Sequence, residues 1–120
     1  MMATVVPRAH VVGHDLLEAA KPLALLGWIA PALITARLAL ESALREIVAD
    51  AGCEPKHPSG IVALVDAAVL HDLLPSPVAS KAKRYAVSLN RVAHGKSINL
   101  QLAVGLIESI EHYLEELRSK

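Results

Sequence analysis

Apolar positions in this chain recur at three- and four-residue spacing rather than in alternation, a pattern that predicts helices and no strands. A first helix is expected from a cap at His14 or Asp15 to about Ile29, with Leu16, Leu17, Ala20, Leu23 and Ala24 on its apolar face. Pro22, in its second turn, either kinks that helix or shifts its start. Pro31 suits the first turn of a second helix, along which Leu33, Leu40, Leu44, Ile47 and Val48 recur before Ala51-Gly52 stops it. Cys53 to Pro58 reads as a loop, and Ser59 as the cap of a third helix lined by Ile61, Leu64, Val65, Ala68, Val69 and Leu73. Pro75-Ser76-Pro77 separates it from a fourth helix, about Val78 to Ala93. There an apolar stripe of Val78, Ala82, Tyr85, Leu89 and Val92 opposes Lys81, Arg84, Ser88 and Arg91. A last helix, about Leu100 to Arg118, carries Leu102, Val104, Leu106, Ile107, Ile110, Tyr113, Leu114 and Leu117. The expected fold is all-α, an up-and-down bundle of about five helices, with a tail over residues 1–13 and a single domain over residues 14–118.

Composition narrows how that bundle is packed. Apolar residues make up 53% of the 120 positions but aromatics only 2%, so Leu, Ala, Val and Ile must fill the core, which suits close helix–helix contact. Twelve basic and twelve acidic residues cancel, so no global field draws the chain to nucleic acid and any such affinity must be local. The charges are nevertheless segregated: from Leu73 to Ile107 there are five basic side chains, Lys81, Lys83, Arg84, Arg91 and Lys96, and no acid. Glu108, Glu111, Glu115 and Glu116 come after them on the last helix.

The single cysteine, Cys53, excludes an internal disulfide and a cysteine-based zinc site and fits a reducing compartment. Met1 to His10 lacks the pattern of a secretory signal, and the chain is expected in the cytoplasm. The longest uncharged run, Pro22 to Ala36, is fifteen residues and contains Gly27 and Pro31. A membrane span needs roughly 17 to 25 apolar residues, so a buried helix pair is expected there instead.

The most informative phrase is Leu89-Asn90-Arg91-Val92-Ala93-His94-Gly95, in which a helix runs out into glycine with an arginine and a histidine three residues apart. Upstream stands Ala36-Arg37-Leu38-Ala39-Leu40-Glu41-Ser42-Ala43-Leu44-Arg45-Glu46-Ile47, and downstream Ile98-Asn99-Leu100-Gln101-Leu102-Ala103. In order and spacing these stretches resemble the HEPN family (higher eukaryote and prokaryote nucleotide-binding), over about residues 36–117. The resemblance implies a four-helix core within the five helices, a homodimer with two motifs facing one cleft, and RNA or a nucleotide as ligand. It also implies a place in a prokaryotic toxin–antitoxin or other defence system, with an antitoxin or another protein as partner. Many such domains are metal-independent RNases whose signature sets an arginine four to six intervening residues before the histidine. Here those positions hold Leu89, Ser88 and Val87, so the histidine carries over onto His94 and the arginine does not.

Residue chemistry gives the same segment a role in two ways. An imidazole that titrates near neutrality can take a proton from a ribose 2′-hydroxyl, and a guanidinium fork can stabilise the charge gained by the attacked phosphate. On that reading His94 and Arg91 are the candidate catalytic pair, and Asn90, Arg84 and Lys96 bind phosphate or RNA, with no metal and no cofactor. Equally, His94-Gly95 is what a plain helix C-terminus looks like, and exposed lysines such as Lys81 and Lys83 are ordinary solvation. His10 and His14 have the spacing of a two-histidine metal pair but no third ligand, while His57, His71-Asp72 and His112 carry no specific signal. Trp28, the only tryptophan, is expected in the core or at an interface. Two functions therefore stand: a HEPN-like domain binding RNA or nucleotide phosphate, with endoribonuclease activity left open, and a catalytically inactive helical dimerisation or protein-interaction module. The uncharged Pro22-to-Ala36 segment is the contact surface of the second.

Overall fold

The computed structural model describes residues 9–55, 60–93 and 98–118, and of residues 9–14, 92 and 93 the backbone only. It is an up-and-down bundle of five helices, with no strand among the described residues: α1 (Ala9–Leu25), α2 (Ile29–Asp50), α3 (Ile61–Leu70), α4 (Ser76–Ala93) and α5 (Leu100–Arg118). Helix α2 is the axis of the fold and packs against all four others.

Two stripes on α2 explain how it does so. Ala32, Ala36, Ala39 and Ala43 recur at four, three and four residues and are all buried. Leu33, Leu40, Leu44 and Val48 form a second buried stripe about a quarter-turn away. α1 and α2 make the most extensive contact of any pair of helices, and both carry fully buried alanines, Ala20 and Ala24 on α1 and Ala32, Ala36 and Ala39 on α2. The leucine stripe packs into the rest of the core with Leu64, Val65, Ile107 and Ile110.

Helix ends are set by one device used three times. Gly27 (φ 91°) ends α1, with Trp28 N–H donating to the Leu23 carbonyl at 2.9 Å and Gly27 N–H to Ala24 at 2.9 Å. Gly52 (φ 72°) ends α2 in the same way, through Cys53 to Val48 at 2.8 Å and Gly52 to Ala49 at 3.0 Å. Asp72 (φ 58°) does this for α3 without being glycine, with Leu73 donating to Ala68 at 2.7 Å. Gly27 explains why α1 stops at Leu25 and not near Ile29.

At its other end α1 begins at Ala9, so His14 and Asp15 lie inside the helix and do not cap it. Pro22 falls in the last turns of α1, and the helix continues through it. The N-cap of α3 is Gly60, without a side-chain bond; Ser59, expected in that role, lies outside the described residues. α4 opens two residues earlier than expected, because a proline at Pro77 is tolerated in a first turn whose N–H groups have no helical acceptor. α5 starts where the pattern places it, capped by Asn99, whose side-chain oxygen accepts from Leu102 N–H at 2.8 Å.

Tyrosines span the gap between α4 and α5. Tyr113 is buried, and its hydroxyl donates to the Val78 carbonyl at 2.7 Å. The Tyr85 ring meets it edge-on at 5.5 Å, and the Tyr85 hydroxyl donates to the Ser109 carbonyl at 3.4 Å. These pairings make α4 and α5 antiparallel. With Lys21 of α1 bonded to Glu108 and Leu25 beside Leu100, the C-terminal ends of α1 and α4 and the N-terminal end of α5 share one end of the bundle.

Candidate functional site

Helix α4 presents the described part of the basic region, and its periodicity distributes the charges. Lys83 turns toward α3 and pairs with Asp66 at 2.7 Å; Lys81 turns toward α5 and pairs with Glu116 at 3.5 Å. The four-residue stripe expected to oppose the apolar face is therefore narrower than its sequence suggests, since Lys81 is at the boundary with α5. Arg84 and Arg91, seven residues apart, remain on one exposed line with half-buried Ser88 between them. They are separated by about 10 Å along the axis. Neither has an ion-pair partner among the described residues.

The buried side of the helix accounts for this arrangement. Val78, Ala79, Ala82, Ala86 and Leu89 are buried, so two alanines widen the apolar face expected from Val78, Ala82 and Leu89. The burial of Val92 is not described. With α2 and α3 packed on α4 and Tyr113 of α5 bonded to Val78, only the opposite third of the helix is open, and both arginines fall within it. Asn90 is also exposed but lies about 100° around the helix from Arg91, on the edge toward Lys83. The structure thus joins Arg84 with Arg91 and sets Asn90 apart from them. His94 and Lys96 lie outside the described residues, just past the end of α4 at Ala93.

What the described geometry can do chemically is hold anions. Two guanidinium groups held out on a rigid helix can each take a phosphate through paired N–H donors, which a lysine point charge does less selectively. Val87, exposed between them, adds an apolar contact.

Elsewhere two more cations are paired. Lys21 is held above the ordinary lysine pKa by its hydrogen bond to Glu108, then by the charge of Glu108 itself, and Arg45 meets Glu54 at 3.5 Å. A groove of about 370 Å³ lies between α1, α2 and α5, where Glu46 of α2 and Glu111 and Glu115 of α5 rim a floor containing Leu17, Ile47 and Leu114. Among the described residues, no group of three or more His, Cys, Asp or Glu is placed to hold a metal ion, and no helix is long and apolar enough to cross a membrane.

Two features are only partly visible in the sequence. Trp28 is exposed at the turn between α1 and α2 and is not in the core. The cap at Asn99 has one signal, a position just before the apolar run from Leu100, which apolar periodicity alone does not register. Comparison with protein-family models, curated proteins and solved structures finds no match to this chain.

Proposed function

We propose that this chain is a HEPN-like helical domain that binds RNA, or the phosphate of a nucleotide, through the outward line of α4 and the segment just after it. The observation that carries the reading is the sorting of the basic residues. The two lysines are engaged by Asp66 and Glu116, whereas Arg84 and Arg91 face solvent without an ion-pair partner among the described residues. Arginines held out in this way are suited to a polyanion. His94 and Lys96 come within five residues of Arg91 and continue the basic run in the sequence, while Asn90 immediately precedes it. The domain would act in the cytoplasm, and the resemblance of the Leu89-to-Gly95 phrase suggests a defence or toxin–antitoxin setting.

The reading is of binding first. Arg91 stands too close to His94 in sequence for the catalytic spacing, and Arg84 too far. If cleavage occurs, the ribose 2′-oxygen attacks phosphorus and the bond to the 5′-oxygen breaks. His94 would move the proton between them, leaving a 2′,3′-cyclic phosphate and a 5′-hydroxyl.

One experiment addresses both steps: retention and cleavage of an end-labelled structured RNA in EDTA by the wild type, Arg84→Ala/Arg91→Ala and His94→Ala. The expected result is salt-sensitive retention that the double arginine variant loses and His94→Ala largely keeps. Cleavage lost with His94→Ala and leaving a cyclic phosphate would make the protein a ribonuclease. Equal retention by the wild type and the double variant would overturn the reading.

A further inference from the structure

The groove between α1, α2 and α5 takes none of its described lining residues from α4, so it is separate from the basic line of that helix. Its floor is apolar, built from Leu17 of α1, Ala43 and Ile47 of α2, and Leu114 and Leu117 of α5. A volume of about 370 Å³ falls within the ~300–1,000 Å³ usual for small-molecule sites. At ~30 Å³ per water, that is room for a flexible chain of about ten heavy atoms.

The rim gives the groove a sign. It carries three carboxylates, Glu46 from α2 and Glu111 and Glu115 from α5, against one guanidinium, Arg118. Glu111 and Glu115 are four residues apart, a rise of about 6 Å along α5. Neither has an ion-pair partner among the described residues, whereas Glu108 and Glu116 on the same helix hold Lys21 and Lys81. Charge of this sign selects a cation, and its spread selects an extended one. Among the described residues, no three His, Cys, Asp or Glu side chains come together closely enough to hold a metal ion, so a compact ion does not bridge this rim. No aromatic ring is among the described lining residues, so a quaternary ammonium finds no cage there. An amine whose N–H groups donate to carboxylates fits better. Lys21 shows how the α5 wall treats an ammonium: its pKa is raised by its bond to Glu108 and the charge of Glu108, and less strongly by the charge of Glu111.

We propose that this groove binds a linear aliphatic polyamine. The methylene chain lies on Leu17, Ile47 and Leu114, and two of the ammonium groups donate to the carboxylates of Glu111 and Glu115. Three or four methylenes, at single-bond lengths of ~1.5 Å, set successive ammonium groups about 5–6 Å apart, which matches the one-turn rise between the two glutamates. Burial of the methylenes on the apolar floor is a gain that a hydrated metal ion lacks.

Spermidine is the probe, titrated calorimetrically into the full chain in about 0.15 M salt, where attraction between exposed charges more than ~8 Å apart is largely screened. The wild type is compared with Glu111→Gln/Glu115→Gln and with Glu41→Gln/Asp72→Asn, which removes two acidic charges that do not line the groove. The wild type is expected to bind one spermidine per chain, the groove variant to bind at least about tenfold more weakly, and the other variant to match the wild type. Glutamine keeps the shape and helix propensity of glutamate, and far-ultraviolet circular dichroism of each variant checks that the helices are intact. Magnesium equimolar with spermidine should leave the isotherm unchanged. No RNA is present, so the result is separate from that of the RNA-retention experiment. Three results would each overturn the proposal: no saturable binding by the wild type, equal weakening in the two double variants, or displacement of spermidine by equimolar magnesium.

Discussion

Tyr113 shows how much one side chain can settle in a core with few aromatics. Its ring fills the space between α4 and α5, and its hydroxyl is satisfied by the Val78 carbonyl, so a polar atom is buried without penalty. Tyr113→Phe keeps the ring and removes one hydrogen bond, and it is expected to lower stability by about 1 kcal/mol in urea unfolding at neutral pH. Burial, then the neighbouring Tyr85 and Glu116, pushes the Tyr113 phenol well above its ordinary value of 10.0. The unfolded chain therefore loses this proton first. The stability contribution is complete below about pH 10 and declines as pH rises beyond it. A near-ultraviolet titration of phenolate absorbance, read beside unfolding at the same pH values, should show Tyr113 ionising only as the protein unfolds, and Tyr113→Phe should lack that part of the alkaline decline.

Among the helices, termini and facing stripes decide the outcome. Gly27 and Gly52 both take the left-handed conformation that closes α1 and α2, so Gly27→Ala is expected to cost about 1 kcal/mol, seen as a lower thermal midpoint. Asp72 occupies the same conformation with a side chain that strains it, and Asp72→Gly should be neutral or slightly stabilising in that measurement. The alanine stripe of α2 makes the opposite kind of demand. Ala36 has no exposed surface, so Ala36→Leu is expected to destabilise by about 1–3 kcal/mol through overpacking. Of these features, glycine stops and apolar periodicity are legible in sequence. The start of α1 is not, because His14 and Asp15 are acceptable caps that also fit inside a helix, and Val11 and Val12 upstream of them continue a helix as readily as they precede one.

For the molecule as a whole, a formal charge of zero makes RNA affinity depend on a few side chains, so its salt dependence should be shallow. Each phosphate contact on a single strand contributes a slope of about 0.7 in log affinity against log salt. Filter-binding isotherms at several salt concentrations should therefore lose about 0.7 of slope for Arg84→Ala and for Arg91→Ala separately, and about twice that for both. Lys83→Ala should leave the slope nearly unchanged, because Lys83 is occupied by Asp66, and it should alter stability by less than about 1 kcal/mol as an exposed pair. A slope that falls equally for Lys83 and Arg84 would mean that position along the chain matters more than the face presented.

Taken by itself, the sequence determined the all-helical class, the number of helices and most of their cores. Leu33, Leu40, Leu44, Ile107 and Ile110 repeat at helical spacing, and hydrophobic burial tracks that spacing wherever the helix packs. It also determined where the positive charge is concentrated, since no acid interrupts Leu73 to Ile107. Only the tertiary structure decided what those charges do. Whether a lysine is paired depends on an acid distant in sequence, as with Lys81 and Glu116, and no local pattern encodes which helix will lie opposite. The same holds for Val69, expected inside and found exposed, and for the alanines of α2, whose complete or near-complete burial depends on the helices packed around them. Periodicity specifies that a helix has a buried side; the arrangement of its neighbours specifies how wide that side is, and so which side chains are left for a ligand.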